Sequence, residues 1–121
     1  MAVILIVEDE FFVRQLAELL IGGWGHSTLS AVDGEGALSI LRSAQPIDAL
    51  FTDIRLKPAG LNGYELAQQA LTLRPKLRVL YTTGDSLTDK IKLLFVAGAH
   101  FLPKPYTSSE LQDSVEGFLA S

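Results

Sequence analysis

The sequence predicts an α/β fold, a doubly wound parallel sheet with helices on both faces. Short apolar runs rich in β-branched residues alternate with stretches of helical periodicity along the chain. Gly, Pro, Asp and Asn punctuate the junctions between them. The 121 residues, 48% of them apolar, suit one domain with one hydrophobic core and leave little room for two.

Val3–Val7 is a continuous apolar run, the pattern of a parallel strand covered on both faces. Phe11–Trp24 has helical periodicity, with Val13, Leu16, Ala17 and Leu20 on the face expected to be core. Gly22, Gly23 and Gly25 break that helix. Ser27–Ala31 is a weaker strand. Asp33 is placed to cap a helix reaching about Ser43, with Pro46 beyond it. Ala49–Thr52 is a strand that stops at Asp53. A Pro/Gly loop follows over 57–62, and a helix from about Tyr64 ends before Pro75. Arg78–Thr82 is a strand, Ser86–Val96 a helix stopped by Gly98, and His100–Leu102 a short strand. Pro103-Lys104-Pro105 forms a turn, and Thr107 with Glu110 makes a capping box for the last helix. Strands joined by single helices must run parallel, with right-handed crossovers. Five such units, (βα)5, favour the flavodoxin-like strand order 2-1-3-4-5.

Composition narrows the function. The net charge is −4, and no basic run or stripe suggests direct nucleic-acid binding. Without cysteine there is neither a disulfide nor a thiolate metal site. No apolar stretch is long enough to span a membrane, and the first apolar run lacks the basic flank of a signal peptide. A cytoplasmic protein is the expectation. Residues 1–121 are expected to form a single domain with no output domain attached.

In doubly wound sheets, ligands bind outside the carboxyl ends of the strands, at the switch in strand order. Glu8, Asp9 and Glu10 follow the first strand, Asp53 the third, Thr83-Gly84 the fourth and Lys104-Pro105 the fifth. The chemically capable residues therefore gather at one sheet edge. Three converging carboxylates, Glu8, Asp9 and Asp53, repel one another unless a cation lies between them. A hard divalent ion such as Mg²⁺ takes oxygen ligands and keeps positions for water and phosphate oxygens. A lysine and a threonine hydroxyl opposite it suit the remaining oxygens of a phosphoryl group. Asp53, central in the set, is placed to act as a nucleophile towards phosphorus.

This set resembles the response-regulator receiver domain of two-component signalling, and the resemblance covers the whole chain. It rests on Glu8-Asp9, Asp53, Thr83-Gly84 and Lys104-Pro105, in that order and spacing. The resemblance implies a signalling module that is not a turnover enzyme. A sensor histidine kinase or a histidine phosphotransfer protein would supply the phosphoryl group, with Asp53 as acceptor. Mg²⁺ or Mn²⁺ would be held by Glu8, Asp9, Asp53 and the backbone carbonyl of Arg55. Thr83 would move to hydrogen-bond the phosphoryl group, and Lys104 would pair with one of its oxygens. The Lys104-Pro105 bond is expected to be cis. Phe101 matches the aromatic whose rotamer reports activation on the last-helix face. Arg55 and Asp85 occupy two positions that tune phosphoryl lifetime, and their opposite charges suggest a pair across the pocket mouth. A change of downstream protein target, or a homodimer formed on phosphorylation, would be the output.

The chain departs from the family pattern in places. The acidic pair is Glu-Asp rather than the commoner Asp-Asp. The loop after Asp53 is longer than usual, with Gly63 ten residues beyond the acceptor. The stretch from Gly98 to Lys104 is one residue shorter. Phe12 and Leu19 lie off the expected core stripe and mark a candidate partner face, since the family's first helix docks on kinase or phosphotransfer helices. Tyr106 raises the same question.

Blander readings exist for each residue. The acidic run can cap the first helix, Asp53 can be a turn residue and Lys104 a surface lysine; the set decides against them. Thr82 is expected to face away from Thr83 and to be structural. Two other functions are compatible with parts of the pattern. One is a receiver fold that only binds partners. The other is a phosphatase of the haloacid-dehalogenase type, although its nucleophile follows the first strand in Asp-x-Asp, where this chain has Val7-Glu8-Asp9-Glu10.

Overall fold

A computed structural model describes residues 1–56 and 60–120. Within the expected Pro/Gly loop, Lys57, Pro58 and Ala59 lie outside the described residues. The elements are β1 (Val3–Val7), α1 (Phe11–Gly23), β2 (Ser27–Ala31), α2 (Gly34–Leu41), β3 (Ala49–Asp53), α3 (Gly63–Leu73), β4 (Arg78–Thr83), α4 (Asp89–Lys92), β5 (His100–Pro103) and α5 (Ser108–Ala120). Every strand pairing is parallel and the sheet order is β2-β1-β3-β4-β5, as expected.

The continuous apolar runs are explained by burial on both sides. All of β3 is buried, as are Ile4 to Val7 of β1. Side chains alternate between two cores. Leu5, Val7, Leu50, Val79 and Tyr81 pack with α2 and α3. Ile4, Ile6, Phe51, Leu80 and Leu102 pack with Ala17 and Ile21 of α1 and with Leu111, Val115 and Phe118 of α5. This alternation also assigns the strand-end side chains to one face or the other.

Several helix starts follow from local chemistry. The Asp33 carboxylate accepts from the Gly36 amide at 2.7 Å. Asn62 and Glu65 form a reciprocal capping box on α3, and Thr107 and Glu110 form one on α5.

Two expectations fail. Leu16 is 53% exposed, and Ile21 is fully buried in its stead. The core stripe of α1 is thus Val13, Ala17, Leu20 and Ile21, rotated so that Leu16 joins the outer face. The helix expected over Ser86–Val96 is a single turn, Asp89–Lys92, opened by Thr88. Its exit is visible in the hydrogen bonds. Leu94 and Phe95 donate to carbonyls three residues back, Ile91 and Lys92. The Val96 amide donates instead to the Tyr81 hydroxyl at 3.2 Å. The Phe95 ring sits 4.5 Å from Tyr81 and 6.0 Å from both Tyr64 and Phe101. An aromatic cluster and a side-chain acceptor therefore take over where helical bonding would continue.

Candidate functional site

The carboxyl ends of β1, β3, β4 and β5 bring the strand-end residues together as the topology requires. Glu8 follows β1, Asp53 ends β3 and Lys104 follows β5. Glu8 and Asp53 are buried, at 4% and 6% exposure. Lys104 reaches over β4 to both. Its Nζ donates to Glu8 Oε1 at 2.6 Å and to Asp53 Oδ2 at 2.8 Å. The other oxygens are also engaged: Asp53 Oδ1 accepts from the Arg55 amide at 3.1 Å, and Glu8 Oε2 from the Glu10 amide at 3.0 Å. Arg14 of α1 donates to the Glu8 carbonyl at 2.9 Å and so ties the first helix to the strand end.

Burial drives the electrostatics. It pushes the carboxyls of Asp53 and Glu8 above their ordinary values, and the hydrogen bonds from Lys104 offset this only in part. Burial also works against the charge of Lys104, but its bonds to Asp53 and Glu8 outweigh that cost and raise its pKa. The Tyr106 phenol, buried beside the same charges, is pushed up to about 12.

Glu8, Asp9 and Asp53 each offer a carboxylate oxygen, all within 4.8 Å of one another. Three hard oxygen donors at this spacing fit a divalent cation of the Mg²⁺ or Mn²⁺ type. Thr83 ends β4, buried, and its hydroxyl accepts from the Asp85 amide at 3.2 Å. Its carbonyl accepts from the Lys104 amide at 2.9 Å, which fixes the start of the Lys104 side chain. Arg55 and Asp85 pair at 3.1 Å on the rim, with side chains 77% and 51% exposed. Lys104-Pro105 is cis.

Other candidate residues fall elsewhere. Phe101 is not on the last-helix face: it packs in the α2–α3 core against Phe95, and Leu102 is the β5 residue that meets α5. Alternation along the short strand accounts for this. Tyr106 is half-buried, with its ring 6.2 Å from that of Phe51. Phe12 and Leu19 are 81% and 69% exposed, and Leu16 lies beside them on the helix.

Sequence reading did not single out Gly63 as a positioning residue. Its amide donates to the Ile54 carbonyl at 2.8 Å, and a Cβ there would stand 2.4 Å from the Asp53 carbonyl oxygen. Only glycine allows α3 to start this close behind Asp53. The capping box at Asn62 and Glu65 was the available signal, because it puts Gly63 at the first helical position.

The match to known proteins agrees with this site. Residues 4–116 match the family model for the response regulator receiver domain. Sporulation initiation phosphotransferase F of Bacillus subtilis is 30% identical over 118 residues, covering 96% of this chain and 92% of that protein. A response regulator receiver protein from Sinorhizobium medicae WSM419 superposes with a TM-score of 0.90 at 26% identity, over 99% of this chain and 95% of that one. A probable transcriptional regulator of Porphyridium aerugineum is 27% identical, but this chain spans only 47% of its length. The chain belongs to the response regulator receiver domain family, phosphoacceptor modules of two-component signalling. Such domains work with histidine kinases or phosphotransfer proteins and are signalling modules rather than turnover enzymes. Nothing in the comparisons supports the dehalogenase-type alternative. No helix among the described residues is long and apolar enough to cross a membrane.

Proposed function

We propose that Asp53 is the residue phosphorylated in this receiver and that the reaction depends on a divalent cation held by Glu8, Asp9, Asp53 and the Arg55 carbonyl. One observation supports it above the others: a buried Asp53 carboxylate, bonded to Lys104 and within reach of two further carboxylates, at the carboxyl edge of the sheet. When bound, the cation neutralises charge that would otherwise repel an incoming phosphoryl group. The chain's own residues do the rest. An Asp53 oxygen attacks phosphorus as the P–N bond of a phosphohistidine breaks, and the leaving imidazole nitrogen keeps the electron pair and takes a proton. Lys104, fully charged at neutral pH, pairs with a phosphoryl oxygen. Thr83 exchanges its bond from the Asp85 amide for one to the phosphoryl group. The exposed Arg55–Asp85 pair stands where water must enter, and slows hydrolysis.

The phosphodonor is a histidine kinase or phosphotransfer protein, and the exposed Phe12, Leu16 and Leu19 of α1 form the surface for its helices. A cytoplasmic receiver that passes its signal to a protein target, or pairs with itself once phosphorylated, fits this reading. The test is intact mass after incubation with Mg²⁺ and acetyl phosphate. A gain of one phosphoryl group, lost with EDTA and in Asp53→Asn, is expected. No gain, together with no binding of Mg²⁺ and beryllofluoride, sinks the assignment.

A further inference from the structure

Beside Glu8 the fold encloses a chamber of about 10 Å³. Val13 and Ala17 of α1 and Phe51 of β3 supply its apolar wall, and Glu8, Thr82 and Tyr106 its polar members. The volume is that of one water-sized sphere. Thr82 points into it because its register partner is Asp53, and partners in a parallel pair share a face. Thr82 is 3% exposed, and its hydroxyl is buried with no hydrogen-bond partner among the described residues. Thr52 on the adjacent strand, also buried, donates its hydroxyl to the Asp53 carbonyl at 3.0 Å. An unpaired buried hydroxyl is costly, and native structures almost always satisfy it with protein or with ordered water.

We infer that this chamber is a binding site for a single buried water that joins the Thr82 hydroxyl to the Glu8 carboxylate. The chemistry is sufficient for it. Each Glu8 oxygen has accepted one protein donor and can take another. Thr82 donates to the water and the water donates to Glu8, with Tyr106 the third polar residue of the lining. Thr82 is then a positioning residue: through the water it ties the Glu8 side chain to β4, from below, while Lys104 holds it from above. This site does not depend on Asp53 being phosphorylated.

Water–methyl NOEs in methyl-labelled protein test it. The wild type shows water contacts at the Val13, Ala17 and Thr82 methyls. Those at Val13 and Ala17 persist in Thr82→Ser, which keeps the hydroxyl but has no methyl of its own, and all three persist in Asp53→Asn, which leaves the chamber intact. They vanish at Val13 and Ala17 in Thr82→Val, whose shape matches threonine closely enough to keep the fold. Absence of contacts in the wild type, or contacts unchanged in Thr82→Val, overturns the inference.

Discussion

Lys104 and Arg55 both reach carboxylates at the carboxyl edge of the sheet, and their surroundings differ. Lys104 lies between Glu8 and Asp53 with side-chain exposures of 18%, 5% and 8%. Arg55 meets Asp85 with both side chains mostly in water, at 77% and 51%. Geometry alone does not separate them, since both contain contacts of about 3 Å. Solvent does. Removing a partner from the buried set strands a carboxylate in a poorly solvated place. Removing one from the rim leaves a hydrated charge and little else. The first set is part of how the fold tolerates its site; the second contributes little to stability.

The largest effect that would break this contrast is at Lys104. Lys104→Met leaves Glu8 and Asp53 facing each other without a cation, and is expected to cost about 3 kcal/mol of stability in EDTA. Added Mg²⁺ should restore a good part of it. Urea unfolding with and without the metal measures both, and an unchanged midpoint in EDTA would put the buried triad on a par with the rim.

Gly63→Ala comes next, at about 2 kcal/mol, because its Cβ meets backbone that cannot step aside. Its loss of stability should be matched by slower phosphorylation from acetyl phosphate, since Asp53 moves with the strand end.

The pH dependence sharpens the comparison further. Asp53 and Glu8 bind protons more tightly folded than unfolded, so their window opens at the ordinary values of 3.8 and 4.5 and extends upward. Below it both states are protonated; across it the folded state holds more protons, and stability falls as pH rises. Lys104, also raised, keeps its contribution throughout that window and loses it only at alkaline pH. In EDTA the urea midpoint of the wild type is expected to drop relative to Asp53→Asn as pH rises above the ordinary Asp value of 3.8, and Mg²⁺ should remove the difference. A rise would reverse the sign of the burial argument.

Arg55→Ala is the smallest. It should shift stability by less than about 0.5 kcal/mol, yet shorten the lifetime of the phosphorylated protein a few-fold. An unchanged hydrolysis rate would leave the rim pair without a function.

Much of this was legible in the residues. Glu8-Asp9, Asp53, Thr83 and Lys104 each stand where an apolar run stops, so a parallel sheet had to collect them at one edge. Thr107 with Glu110 announced α5 because a capping box is complete within four residues. The family resemblance pointed to positions 55 and 85, and their opposite charges then suggested the pair that the structure shows. The failures share a different character. Leu16 and Ile21 are equally apolar, and the angle at which α1 rests on the sheet selects between them. The helical pattern of Ser86–Val96 is genuine, but Tyr81 and Phe95 capture its last turn from another strand. Phe101 was placed by alternation, which needs the true strand phase, whereas Thr82 faces away from Thr83 as expected.

Sequence alone determined what is local or repeated along the chain: five strand–helix units, their parallel sense, the caps, and the acids and lysine at strand ends. Hydrogen bonds between near neighbours and the burial of continuous apolar runs impose these whatever the partners are. Tertiary structure alone decided which of two apolar side chains is core, where α4 ends, how closely Gly63 approaches Asp53, and that Lys104 spans two carboxylates. Those depend on distances between elements far apart in sequence, set by packing in a crowded interior.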